Sequence, residues 1–257
     1  MNETVESAFR PAKESVSWAH EAINEFDVRA RAFFCPDRRE IITDIDPQTL
    51  KSVHKLRLKE PLPLELTRKA TEALTRTKEA FDQATFAARK LLSGPPRKSV
   101  YFPWACSPTD LIRLLEERGL DKRLWDLFES YQPYPTGNSY SGGSDVIRAL
   151  ATLANRKHTI GLVVQPSVTF MMHPIQGDVV MRYFMPPVWD AVKNEAVIAT
   201  WEGEAEPDRD YNIKFKILFD DARFPHSVNV PAALDSFTRA ADLVVEQLQG
   251  RCDELQS

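Results

Sequence analysis

Lys157 and His158 close the run "ALATLANRKH", and the β-branched stretch "TIGLVV" follows directly. An imidazole beside an ammonium at a helix–strand junction suits proton transfer or anion binding. Asp82 and Gln83, on a long predicted helix earlier in the chain, are the side chains that would complete such a cluster. The same residues have a structural use. Lys157 and His158 complement the negative end of a helix and bond its last carbonyls, with Asp82 holding that cationic end against its neighbour. One histidine without a second catalytic partner favours the structural use. Both readings stand as expectations.

Other reaction chemistry finds little to build on. GxGxxG, GxxxxGK and GxSxG are absent, and nine glycines make a phosphate cradle hard to assemble. No two histidines stand at metal-ligand spacing; His20, His54, His173 and His226 each read as surface or structural groups. The acidic run Glu202, Glu204, Glu206, Asp208, Asp210 lacks the Asp/Asn-Gly arrangement of a calcium loop and reads as a solvated hairpin loop. Cys35, Cys106 and Cys252 are odd in number, far apart and without CxxC spacing, which fits a reducing cytoplasm better than a disulfide framework or a zinc site. No metal and no cofactor are expected.

Charge is distributed unevenly. The chain carries a formal −4, yet Lys51 to Lys98 holds twelve Lys/Arg against five acids, so that segment is +7 and the remainder −11. Lys51, Lys55, Arg57 and Lys59 share one face of a predicted strand along with Val53, with Leu50, His54, Leu56 and Leu58 on the other. That lysine-rich face reads as edge protection against aggregation or as a polyanion-binding surface. No aromatic side chain is interleaved for base stacking, so nucleic acid is the weaker choice of partner.

The elements that must position these groups follow from periodicity. Phe9, Ala12, Val16, Ala19, Ile23, Phe26, Ala30 and Phe33 mark a long amphipathic helix over 4–35, stopped by Cys35-Pro36. "REIITDI" and "LKSVHKLRLK", joined through Asp46-Pro47-Gln48-Thr49, predict a hairpin over about 39–58. A second long helix runs over 63–92 on Leu66, Ala70, Leu74, Phe81, Ala84, Ala88 and Leu91, and "SGPP" ends it. Ser107-Pro108-Thr109-Asp110 caps a short helix. Another short helix follows over 120–130, and a third runs from Ser144 or Asp145 to Lys157. "TIGLVV", "SVTFMM", "DVVMRYF", "EAVIATW" and "YNIKFKILF" are strands, the last alternating Tyr211, Ile213, Phe215, Ile217 against Asn212, Lys214, Lys216. A final helix covers 231–255.

These elements predict an α+β protein: a bundle of long helices packed beside a mostly antiparallel β-sheet. The organisation expected is a mainly helical region over 1–158 with the inserted hairpin. A strand block over 159–257 follows, closed by a helix that returns to the bundle, and the whole forms one compact unit. "MNETVESAFRPAKESVSW" has no apolar h-region, so no signal peptide is expected, and no run is long enough to span a bilayer.

"KEAFDQATFAARKL", "YFP", "QPY" and "LANRKH" occur in that order. Together they resemble a widespread family of uncharacterised bacterial proteins. There the second helix carries an LRSALDH-like box, followed by an extended Phe-Pro-Ile, a Gln-Pro-Tyr loop and a DKHR-like helix end. The resemblance covers residues 10 to 165 and implies an architecture rather than a reaction. Lys78 stands where the box has Arg, Asp82 matches its Asp, and Gln83 stands where it has His; at the helix end Lys157 and His158 match while Arg156 and Thr159 depart. The Arg-x4-His spacing of that box is similar to the ribonuclease motif of HEPN-type helical bundles, but here no His follows an Arg by five to seven positions.

The resulting expectation is a non-catalytic cytoplasmic binding or interaction protein with a lean toward an acidic partner. A HEPN-like ribonuclease or other hydrolase using His158 is the first alternative, and a structural, homo-oligomer-forming subunit the second.

Overall fold

The structure, a computed structural model, describes residues 4–95, 100–137, 139–156, 159–170, 180–184, 187–202, 211–220 and 229–257. The fold is α+β. The helices are α1 (Val5–Phe33), α2 (Leu64–Ser93), α3 (Pro108–Glu117), α4 (Trp125–Tyr131), α5 (Asp145–Asn155) and α6 (Val230–Gln256). The strands are β1 (Arg39–Ile45), β2 (Ser52–Leu58), β3 (Leu162–Phe170), β4 (Val180–Tyr183), β5 (Trp189–Asp190), β6 (Glu195–Glu202) and β7 (Tyr211–Phe219).

The chain divides into two compact units, neither continuous in sequence. The helical unit comprises 1–26, 68–160 and 231–257; the sheet unit comprises 27–67 and 161–230. The expected division at residue 158 and the single compact unit therefore give way to an interleaved arrangement. Its cause is β2, which pairs with β6 across the chain and so groups the hairpin with the late strands.

Most of the predicted stripe residues become core, Leu91 near the end of α2 being only half-buried. Phe9, Phe26 and Phe81 are fully buried and Phe237 nearly so. Along α1 every stripe residue but Ile23 is buried, with Ala22 taking the buried position beside it. Polar pairs then set how the three long helices meet. Ser15 donates to Gln83 Oε1 at 2.8 Å between α1 and α2, and Lys69 pairs with Glu25 at 3.0 Å. The fully buried Thr238 hydroxyl donates to its own helix at Leu234 O, so Thr77 donates to Thr238 across α2 and α6 at 3.0 Å. His20 meets Asp242 of α6 at 3.1 Å on the exposed side. Ser107 caps α3 by accepting from Asp110 N, while Asp110 accepts from Cys106 N, as the Ser-Pro-x-Asp pattern predicts.

In the sheet unit five strands form one antiparallel sheet, in the order β1-β2-β6-β4, with β5 also on β6. β4 pairs along Ala199–Glu202 and β5 along Glu195–Ala196, so the two share the edge of β6 that β2 leaves open. β3 and β7 form a second, two-stranded sheet. β3 runs unbroken through Gln165-Pro166, where the sequence suggested two separate strands. Among the described residues β3 pairs with β7 alone, and proline is tolerated where the missing N–H faces away from the ladder. The sheets meet through Leu56 and Ile198 from the larger and Val168, Ile213 and Phe215 from the smaller.

His54 lies in this interior at 4% exposure, its Nδ1 2.6 Å from the Tyr211 hydroxyl and its ring edge-on to Trp201 at 4.2 Å. Tyr211→Phe removes the hydroxyl partner of a buried imidazole and should cost about 1 kcal/mol in denaturant unfolding. No change would show that the hydroxyl contributes nothing.

Candidate functional sites

Asp82 is fully engaged. Its Oδ1 accepts from Phe102 N at 2.9 Å and from Trp104 Nε1 at 3.2 Å; its Oδ2 takes Lys78 Nζ at 3.1 Å. Lys78 in turn lies 5.7 Å from the Trp104 ring, and Phe102 and Trp104 pack on Phe81. The carboxylate thus stitches the extended segment after α2 back onto α2. Gln83, one residue on, is held by Ser15. Asp82 and Gln83 do line one groove of about 370 Å³ with Phe86, Lys90 and Tyr101, so the structure brings these two candidates together. Lys157 and His158 lie outside the described residues, as do His173, His226, Glu204, Glu206, Asp208 and Asp210.

The Gln-Pro-Tyr segment is structural in the same way. Gln132 ends α4 in the left-handed region at φ 48°, and its Oε1 accepts from Gly143 N at 2.8 Å. Its carbonyl accepts from Ser144 N, the residue that caps α5. Gly143 has φ 120°, and a Cβ there would stand 2.6 Å from Thr136 N, so no other residue fits this close passage. Cys252 is fully buried, and burial pushes its thiol up to about 12, leaving it protonated and unreactive at neutral pH.

The basic strand is not at an edge. β2 lies between β1 and β6, and the edge-protection reading of Lys51, Lys55, Arg57 and Lys59 falls with that placement. A pairing between strands so far apart in sequence left no signal in either strand's own pattern. The neighbours supply carboxylates to three of the four cations. Arg57 donates to Glu195 Oε2 through Nε at 3.0 Å and Nη2 at 2.6 Å, and lies 3.9 Å from Glu40. Lys55 Nζ donates to Asp44 at 2.8 Å and sits 3.5 Å from Glu195 Oε1. Lys51 pairs with Glu202, the first acid of the run read as a solvated loop. Glu195 is itself only 5% exposed. The Asp44 bond holds the Lys55 ammonium above its usual range and, reciprocally, the Asp44 carboxyl below its own. Among the described residues Lys59 has no carboxylate partner.

The outer face of the two-stranded sheet is different. Lys214 and Lys216 are exposed there, opposite Ser167 and Gln165. Neither lysine has a carboxylate partner among the described residues. Strict alternation in "YNIKFKILF" exposed this face to sequence reading, but its weight emerged only once the cations of β2 proved to be neutralised. Among the described residues no group of three His, Cys, Asp or Glu side chains could hold a metal ion, and no helix is long and apolar enough to cross a membrane.

The chain matches no protein-family model, no curated protein and no solved structure.

Proposed function

We propose that this chain is a non-catalytic, cytoplasmic binding protein for an acidic partner, which it meets on the solvent face of β3 and β7. One observation carries the reading: Lys214 and Lys216 are exposed cations without carboxylate partners among the described residues, whereas Lys51, Lys55 and Arg57 are each paired inside their own sheet. Only cations not already neutralised supply net attraction to a polyanion. Ser167 and Gln165 place hydrogen-bonding side chains opposite the two lysines.

The competing reading, a hydrolase using His158, draws on Asp82, Gln83 or Lys157 as a chemical partner; Asp82 and Gln83 are both bonded within the helical unit, and Lys157 lies outside the described residues. Asp82 joins the "KEAFDQATF" box to "YFP" through Phe102, and Gln132 joins "QPY" to α5. Three free cysteines, one of them exposed, suit a reducing compartment.

Among the described residues β7 is also an edge of its sheet, so its lysines would deter strand pairing between chains whatever else they do. Charge reversal separates the two roles, because glutamate blocks an edge as well as lysine does. Lys214→Glu with Lys216→Glu should abolish retention on heparin while leaving solubility and melting temperature unchanged. Undiminished retention would overturn the proposal.

A further inference from the structure

The larger sheet carries a pocket of about 520 Å³ on the face turned away from its partner sheet. Lys55, Glu195 and Val197 form its floor, and β4, β5 and the turn before β6 wall it. Its charges can be followed one by one. Lys55 is held by Asp44 and Glu195, and Glu195 is shared between Lys55 and Arg57. Asp190 Oδ1 accepts from the backbone N–H of Val192 at 2.9 Å and of Lys193 at 3.1 Å, and its Oδ2 lies 3.9 Å from Lys193 Nζ. Each of these charges therefore has its complement in place.

Arg182 remains. It stands on β4 opposite Thr200, exposed, with no carboxylate partner among the described residues. Beside it the pocket presents apolar surface to solvent, Val188 at 83% and Phe184 at 37% exposure. A guanidinium with no carboxylate partner among the described residues, next to exposed apolar side chains and in a recess of the size that takes small molecules, matches an amphipathic anion.

We infer that this pocket binds a small organic carboxylate with an apolar body, the carboxylate on Arg182 and the body against Phe184 and Val188. The inference goes beyond the acidic-partner reading and uses different residues on the other sheet, so either can fail alone.

The test titrates the full chain with 4-phenylbutyrate and with its neutral amide, by calorimetry or ligand-observed NMR. The carboxylate should bind and the amide about tenfold more weakly. Arg182→Ala should remove that difference, weakening the carboxylate about tenfold and leaving the amide unchanged. Val188→Glu should weaken both, and Lys214→Glu with Lys216→Glu neither. Equal binding of acid and amide, no effect of Arg182→Ala, no carboxylate binding at millimolar concentration, or loss of binding on Phe86→Ser in the groove of the helical unit would each overturn the assignment.

Discussion

Glu195→Ala should lower the stability of the sheet unit by about 3–4 kcal/mol. Removing the carboxylate leaves Lys55 and Arg57, neighbours on one face of β2, without the buried group they share, and breaking a buried pair by deleting one partner typically costs roughly 3–5 kcal/mol. The lower part of that range applies because Arg57 keeps 38% side-chain exposure and both cations retain carboxylates on β1. Glu195→Gln preserves an acceptor for Arg57 and should cost about half as much. Replacing the whole group with Lys55→Met, Arg57→Leu and Glu195→Leu should recover most of the loss, since well-packed apolar side chains commonly substitute for a buried ion pair at no net cost. Denaturant unfolding followed by tryptophan fluorescence reads these effects, Trp189 and Trp201 lying in this unit. A Glu195→Ala loss below about 1 kcal/mol would mean that the cluster is already solvated.

Asp82→Ala should cost about 2–3 kcal/mol, from loss of charge-assisted bonds to Phe102 N, Trp104 Nε1 and Lys78 at a site with 16% side-chain exposure. In a chain of this length that is a fall of roughly 4–12 °C in melting temperature. Asp82→Asn keeps the Oδ1 acceptor and gives up only the ion pair with Lys78, so it should cost about 1 kcal/mol or less. The contrast matters for function as well as stability. A catalytic Asp82 would lose activity in both variants alike, whereas a stitch is damaged in proportion to the bonds removed. Equal melting of Asp82→Ala and the parent chain would contradict the structural role.

Helical periodicity carried most of the helical unit, because the stripes from Phe9 to Phe26 and from Ala70 to Ala88 are local patterns that tertiary packing reinforces. Turn chemistry was legible for the same reason at Ser107-Pro108 and Ser144. The 39–58 hairpin and the antiparallel sense of the strands were legible too, but the strand order was not, since β2 and β6 are far apart in the chain and nothing in "SVHKLRL" names "EAVIATW" as its neighbour. That single pairing moved the basic strand from edge to interior and turned Lys55 and Arg57 from a presumed surface into an ion-pair cluster on Glu195. Asp82 was visible as a special residue, but its partners were not: the bonds to Phe102 and Trp104 depend on how the segment after α2 folds back. Pro166 read as an interruption because proline breaks a strand paired on both sides, whereas among the described residues β3 is paired with β7 alone.

The acidic-partner proposal meets its most direct test in a salt titration of fluorescein-labelled polyglutamate, followed by anisotropy, with the parent chain beside the Lys214→Glu, Lys216→Glu variant. The parent chain should bind with an affinity that falls several-fold as salt rises fourfold from about 50 mM, the signature of charge–charge association. The charge-reversed variant should show no binding at any salt while melting at the same temperature as the parent, and Arg182→Ala should bind as the parent does. Parent-like, salt-sensitive binding by the charge-reversed variant would contradict the account.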